Sequence, residues 1–273
     1  MEGKVRISVL LATVSIGAMN WAYALPIPRP FDGWPPLGAQ SVLETPEPQD
    51  MFEHGAAYDE GIGVPENALM AFDWYRLAAD SGHPEAMNRL GMLYAAGRGV
   101  QQNYLKAFAW FVRAAEGGSV AALDNLSTAY FRGLGVPQSY SGAAAVLERA
   151  VEAGDADAQT KLGVLYSQGL GVKQDHGRAR ELFQAAANRG NTAAMVYLGR
   201  LYLGGIGGAR DVVHGCGLLK AALVLGVSEP LKGQAARELD AAATRMGAKE
   251  RKLAQHAVDQ YLSTNTRRAA EAY

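Results

Sequence analysis

Cysteine is almost missing from this chain of 273 residues: Cys216 is the only one. A single thiol excludes an intramolecular disulfide, and with it the stapled scaffolds on which small secreted domains depend. Histidine is scarce as well. The five histidines, at 54, 83, 176, 214 and 256, show no ligand spacing, so no metal site is expected. His214 and Cys216 stand two apart on a predicted helix and therefore point away from each other, which argues against a Cys–His nucleophile. An excess of one charge is lacking too. Lys and Arg number 26 against 27 Asp and Glu, for a net charge of −1, and such a balance leaves no electrostatic footprint for nucleic acid. The local basic cluster of Arg245, Lys249, Arg251, Lys252, Arg267 and Arg268 reads as a solvated helical face. No serine–lysine pair or paired carboxylates stand out, so no catalytic residue and no cofactor is expected. The apolar run at residues 7–19 is 13 residues long, short of the roughly 20 that span a bilayer.

That run sits in a three-part pattern. Lys4 and Arg6 precede it, and Ala22-Tyr23-Ala24 follows as a small-x-small cleavage site. Residues 1–24 are thus expected to be a secretory signal removed after Ala24, which places the mature chain in the periplasm or outside the cell. With Cys216 as the only cysteine, the processing site has none to lipidate. Residues 25–48 carry Pro26, Pro28, Pro30, Pro35, Pro36, Pro46 and Pro48. Proline at that density removes amide donors and fixes φ, so this stretch reads as an extended linker, with Phe31 and Trp34 as its only large rings.

What the chain has in abundance is self-similarity. Residues 162–172 read L-G-V-L-Y-S-Q-G-L-G-V, and related stretches recur at 90–100, 126–136 and 198–208, with a worn copy at 54–64. Tyr58, Tyr94, Tyr130, Tyr166 and Tyr202 step by 36 residues, as do Gly61, Gly97, Gly133, Gly169 and Gly205. A fixed period in the range 20–50 marks a solenoid. Within one copy, Ala86, Leu90 and Tyr94 lie on one helical face, with Gly91 beside Leu90, where a bare backbone lets a second helix approach. Gly97 and Gly99 end that helix. Asn67, Asn103, Ser139, Asp175 and Asp211 then supply N-cap chemistry for a second helix. Ala107, Phe111 and Ala114 give it an apolar stripe. Each copy is a helix–loop–helix hairpin whose faces are covered only when the next copy stacks on it.

The pattern A-x-x-x-L-G-x-x-Y-x-x-G-x-G-V-x-x-[DN]-x-x-x-A-x-x-[WL]-[YF]-x-x-A-A-x-x-G resembles the Sel-one-like repeat (SLR) family, a relative of the tetratricopeptide repeats. His54, Ser127, Gly208 and Gly215 depart from it, and Ser127 in place of glycine predicts slightly wider packing. The resemblance implies an all-α fold, a right-handed α/α solenoid of five 36-residue repeats over residues 49–229. Two further helices, at 232–245 and 249–262, would cap it within residues 230–264, and residues 265–273 read as a disordered tail.

The resemblance also implies a protein-binding groove lined by first helices. Transferred by register, its residues are Asn88, Met92, Asp124, Thr128, Thr160, Val164, Val196 and Arg200, with Phe131 and Arg132 at one helix end. Their mixture is neutral and partly apolar, which suits a peptide or a helix better than a polyanion. The layout of signal, linker, repeats and caps is similar to that of ExoR-type periplasmic regulators, which implies a membrane sensor kinase as partner. A secreted adaptor in envelope assembly or host contact, or an adaptor of the ER lumen, fits the same layout. A hydrolase of the penicillin-binding or β-lactamase-like kind, suggested by cysteine-rich relatives, finds no nucleophile and base here. The 204–208 run G-G-I-G-G looks like a phosphate cradle in isolation. It follows a predicted helix rather than a strand and occupies the slot of four plain loops. Asn125-Leu126-Ser127 forms a glycosylation sequon, but on a predicted helix.

Overall fold

A computed structural model describes residues 46–271. The expected signal and all but the last residues of the expected linker lie outside the described residues. The described part is entirely helical apart from its loops. Its helices are α1 (Pro48–Glu60), α2 (Ala68–Asp80), α3 (Pro84–Ala96), α4 (Tyr104–Glu116), α5 (Val120–Arg132), α6 (Tyr140–Glu152), α7 (Ala156–Gln168), α8 (His176–Asn188), α9 (Thr192–Gly204), α10 (Val212–Val224), α11 (Leu231–Ala243) and α12 (Ala248–Glu271). The first ten are five hairpins, and each helix packs on its neighbours in sequence. The odd-numbered helices also meet across repeats: α3 touches α5, and α9 touches α11. This is an all-α solenoid of five repeats followed by two capping helices.

Local chemistry explains the boundaries. Gly97 ends α3 at φ 71° and donates its N–H to the Leu93 carbonyl at 2.8 Å. All five expected N-caps accept hydrogen bonds from the first free amides of the even-numbered helices. His83, Ser119, Asp155 and Asn191 do the same for α3, α5, α7 and α9. Gln102, Gln138 and Gln174 tie the connecting loops down by donating to the carbonyls of Ala95, Phe131 and Ser167.

Packing follows the small residues. Ala86, Ala122, Ala158 and Ala194 are fully buried, beside Leu90, Leu126, Leu162 and Leu198. A Cβ at Gly91 would stand 2.6 Å from the Phe111 ring, and one at Gly163 2.7 Å from the Phe183 ring. The two helices of these hairpins meet at ring-on-backbone contact there. In the third repeat buried Ser127 takes the glycine position, and its hydroxyl donates to the Asp124 carbonyl at 2.8 Å. Leu147 takes the ring position in the same repeat. The larger residue on one helix is matched by a smaller, flexible one on the other.

Successive repeats interlock through their loops. A Cβ at Gly135 would run into the Tyr104 carbonyl, at the start of the previous repeat's second helix. Gly99, Gly171 and Gly207 make the same approach to Ala68, Tyr140 and His176, whereas Gly63 in the first repeat faces open space. Between the first two repeats a charged clasp is added. Arg98 reaches Asp59 at 3.0 Å and Glu66 at 2.7 Å, and Tyr75 donates to Asp59 at 3.4 Å. Burial raises the Tyr75 phenol well above its ordinary pKa, with nearby Asp59 adding to the effect.

At the far end, α10 packs against both α11 and α12, and α11 also reaches α9. Ala235 of α11 and Val258 of α12 are buried against Leu218 and Leu219 of α10. The expected disordered tail at 265–273 is corrected in part: α12 continues to Glu271. Residues 264–271 run in sequence without glycine or proline, the two residues that disfavour a helix interior most.

Candidate protein-binding face

The odd-numbered helices place their open positions in one continuous face. Met92, 41% exposed, and half-buried Thr128 and Val164 stand at equivalent points of α3, α5 and α7, followed by exposed Arg200 on α9. Arg132 is exposed at the end of α5, and Phe131 lays its ring edge-on against Tyr140, centroids 5.1 Å apart.

The positions before the Leu-Gly pair behave differently, and here the transferred register is corrected. Val196 is 0% exposed, inside the core with Leu198 and Leu218. Thr160 is buried and turns its hydroxyl back to the Ala156 carbonyl at 3.2 Å. Asn88 is buried too, accepting a hydrogen bond from Asn125 at 2.8 Å. None of the three can meet a partner directly. The reason is rotation: each residue advances about 100° around a helix with 3.6 residues per turn, so one step carries a side chain from the core edge to the open face. The accessible positions are the next ones along, Arg89, Asn125, Lys161 and Tyr197. Their signal in the sequence is the polar or amphipathic residue that directly precedes Leu90, Leu126, Leu162 and Leu198.

Three of these residues, together with the α9 cap Asn191, form a ladder from one repeat to the next. Arg89 faces Glu60 at 3.8 Å, Asn125 donates to Asn88, Lys161 pairs with half-exposed Asp124, and Asn191 donates to Asp157 at 2.6 Å. In every step the acceptor sits on the earlier helix. The last step reverses, with Arg200 of α9 ion-paired to Glu238 of α11, Nε to Oε1 2.9 Å. Arg200 and Glu238 stand on the rim of a cavity of about 380 Å³. Its lining comes from Val164, Ser167 and Gln168 of α7, Phe183 of α8, Tyr197, Arg200 and Leu201 of α9, Ile206 of the following loop, and Glu238. The face therefore ends in a pocket whose far wall is the capping helix.

A profile of the Sel1 repeat matches residues 48–83, 84–119, 120–155, 156–191 and 192–223. The chain belongs to the Sel1 repeat family. Those five units coincide with the five hairpins, first helix to first helix. The c5321 protein, a protective antigen of uropathogenic Escherichia coli strains with an SLR fold, is 28% identical over 82% of this chain, with a TM-score of 0.73. This Sel1 repeat chain spans about half of that protein, 47% of its length. A Sel1 repeat protein from Oxalobacter formigenes is 31% identical, with 66% of this chain and 74% of the other covered and a TM-score of 0.63. Comparison with proteins of curated function gives no match.

Sel1 repeat proteins generally serve as protein-interaction scaffolds, and their solenoid is typically non-enzymatic. Among the described residues no group of three or more His, Cys, Asp and Glu is placed to hold a metal ion, and no helix is long and apolar enough to cross a membrane. The 204–208 loop follows helix α9, as its four counterparts follow their first helices. Cys216 is buried, and burial alone pushes its thiol pKa up, which keeps it protonated and a poor nucleophile.

Proposed function

We propose that this chain is an exported interaction scaffold that grips a protein partner on the face of its odd-numbered helices and regulates a membrane signalling or envelope-assembly component. The observation that carries the reading is the continuity of that face. Met92, Thr128, Val164 and Arg200 recur at one position of the first helix in four successive repeats without being buried, and Val164 and Arg200 also line the cavity walled by Glu238. Side chains beside these positions are mutually paired, so the face is nearly neutral. It favours a peptide or an amphipathic helix over nucleic acid or a polyanion. Export rests on the charged, apolar and small-x-small pattern of residues 1–24.

Two experiments test the two halves of the reading. A photo-reactive residue introduced at Thr128 in intact cells should capture the extracytoplasmic region of one membrane protein. The same residue at exposed Leu105, on the second-helix side, should not. Equal capture from both positions sinks the assignment of the face. Alkaline phosphatase fused after residue 273 should be active, since that enzyme matures only outside the cytoplasm, and an inactive but stable fusion rules out export.

A second reading is favoured by one relative. The E. coli protein is a protective antigen, so a role in contact with a host is the alternative for this chain. It predicts that the cross-linked partner at position 128 is a host protein and that none of the cell's own envelope proteins is captured.

A further inference from the structure

The cavity at the end of the face combines an apolar floor with a neutralised rim, and this limits what can occupy it. Phe183 and Tyr197 lie nearly parallel, centroids 5.2 Å apart and planes 21° apart, and with Val164, Leu201 and Ile206 they form the apolar part of the lining, beside the polar groups of Ser167 and Gln168. Gly204 keeps this floor in place, because a Cβ there would sit 3.0 Å from Ile206 Cδ1 and push that side chain away. Above the floor, Arg200 is ion-paired with Glu238, Nε to Oε1 2.9 Å. Among the described residues its two terminal nitrogens, the second Glu238 oxygen and the Gln168 amide have no other side-chain partner.

We infer that the cavity formed by Val164, Phe183, Tyr197, Leu201 and Ile206 is a specificity pocket for an uncharged, apolar side chain of an extended peptide, whose adjacent backbone amide is held by Arg200 and Glu238. The inference rests on the reading of the face as protein-binding and names the chemistry of what it binds. The paired rim carries no net charge. A carboxylate drawn to Arg200 would also face Glu238, an ammonium drawn to Glu238 would also face Arg200, and either would lose hydration on entering the apolar part of the cavity. A peptide group has what the rim lacks: a carbonyl for the free Arg200 nitrogens and an N–H for Glu238 or Gln168. The Glu238 ion pair keeps the guanidinium near the cavity, so less side-chain freedom is lost when a ligand arrives. A volume of about 380 Å³ falls at the small end of the roughly 300–1,000 Å³ range of ligand pockets, suited to one anchor residue rather than a folded domain.

The test uses the full-length mature chain, methyl-labelled on Val, Leu and Ile, titrated with acetylated and amidated Gly-Ser-Gly-X-Gly-Ser-Gly peptides in which X is Leu, Phe, Ala, Glu or Lys. The Leu and Phe peptides should shift the Val164, Leu201 and Ile206 methyl resonances with affinities at least tenfold above those of the Ala, Glu and Lys peptides. Arg200→Ala should weaken the Leu peptide at least fivefold, whereas Leu105→Ser, on the opposite side of the hairpins, should leave it unchanged. Glu238→Gln supplies a reciprocal arm: with Arg200 no longer neutralised, the Glu peptide should gain at least threefold. Shifts of equal size for all five peptides, or shifts that avoid the three methyl groups, overturn the pocket. Failure here with continued cross-linking from position 128 removes the pocket and leaves the face standing; loss of both removes both.

Discussion

Gly163 and Ser127 hold the same place in two repeats, and the residues across from them differ in step: Phe183 opposite the glycine, Leu147 opposite the serine. A glycine next to the repeat's leucine was legible in the sequence as a site of close helix approach. The exchange with its partner was not, because the two positions lie 20 residues apart and only the packed hairpin shows that they touch. Gly163→Ala should therefore cost about 1–3 kcal/mol, the usual penalty for overfilling a packed core, since its Cβ would stand 2.7 Å from the Phe183 ring. Adding Phe183→Leu should recover most of that loss in chemical denaturation. A double variant no more stable than Gly163→Ala alone would break the proposed pairing. The groove residues show the opposite limit. Met92, Thr128, Val164 and Arg200 were legible by register as open positions. Asn88, Thr160 and Val196 were misplaced by one residue, because a repeat pattern specifies spacing without specifying the tilt at which one hairpin meets the next.

At the scale of the helix, starts and stops were the most legible features. Side chains that cap are chosen for local hydrogen bonding and need no partner elsewhere. The five caps of the second helices share a short menu of Asn, Ser and Asp and stand out by their period. Caps of the first helices include His83, which is outside that menu and visible only through its Nδ1 bond to the Ala86 amide at 3.1 Å. Asp211 is the cap with a pH consequence. Burial works to raise its pKa, but hydrogen bonds from the His214 amide and ring, the His214 charge and the Val213 amide together outweigh it and lower the value. A carboxyl whose pKa is lower folded than unfolded stabilises the fold above its unfolded pKa and loses that contribution as pH falls through the folded one. Asp211→Asn keeps a capping oxygen but no charge. Its melting temperature should lie below that of the wild type at neutral pH, and the gap should close below about pH 4. A gap independent of pH would assign the effect to geometry rather than charge. The continuation of α12 to Glu271 was not legible, because a polar stretch carries no apolar period to announce a helix.

Over the whole array, two kinds of contact join the repeats besides their shared apolar core, and they differ in strength. The ion pairs of Arg89, Lys161 and Arg200 are half to largely exposed, and exposed ion pairs contribute about 0–1 kcal/mol each. Such residues can be altered for binding at little cost to folding. The glycine–backbone interlocks tolerate no such change. Gly63→Ala should cost about 1–2 kcal/mol, the penalty for a left-handed backbone in a residue with a Cβ, since that site faces open space at φ 73°. Gly135→Ala, at nearly the same φ of 74°, should cost distinctly more, because the added carbon would also collide with the Tyr104 carbonyl. Equal losses in denaturant titrations would mean that the interlock contributes nothing. Since glycine there meets main chain, the joint is indifferent to sequence: it reads no side chain on either side. Excising residues 120–155 would bring Gly171 onto the Tyr104 carbonyl that Gly135 now meets, and the shortened chain should fold cooperatively with a lower melting temperature. Reach can then be lengthened or trimmed by whole hairpins in evolution or by engineering, with the recognition chemistry at the α9–α11 end left as it is.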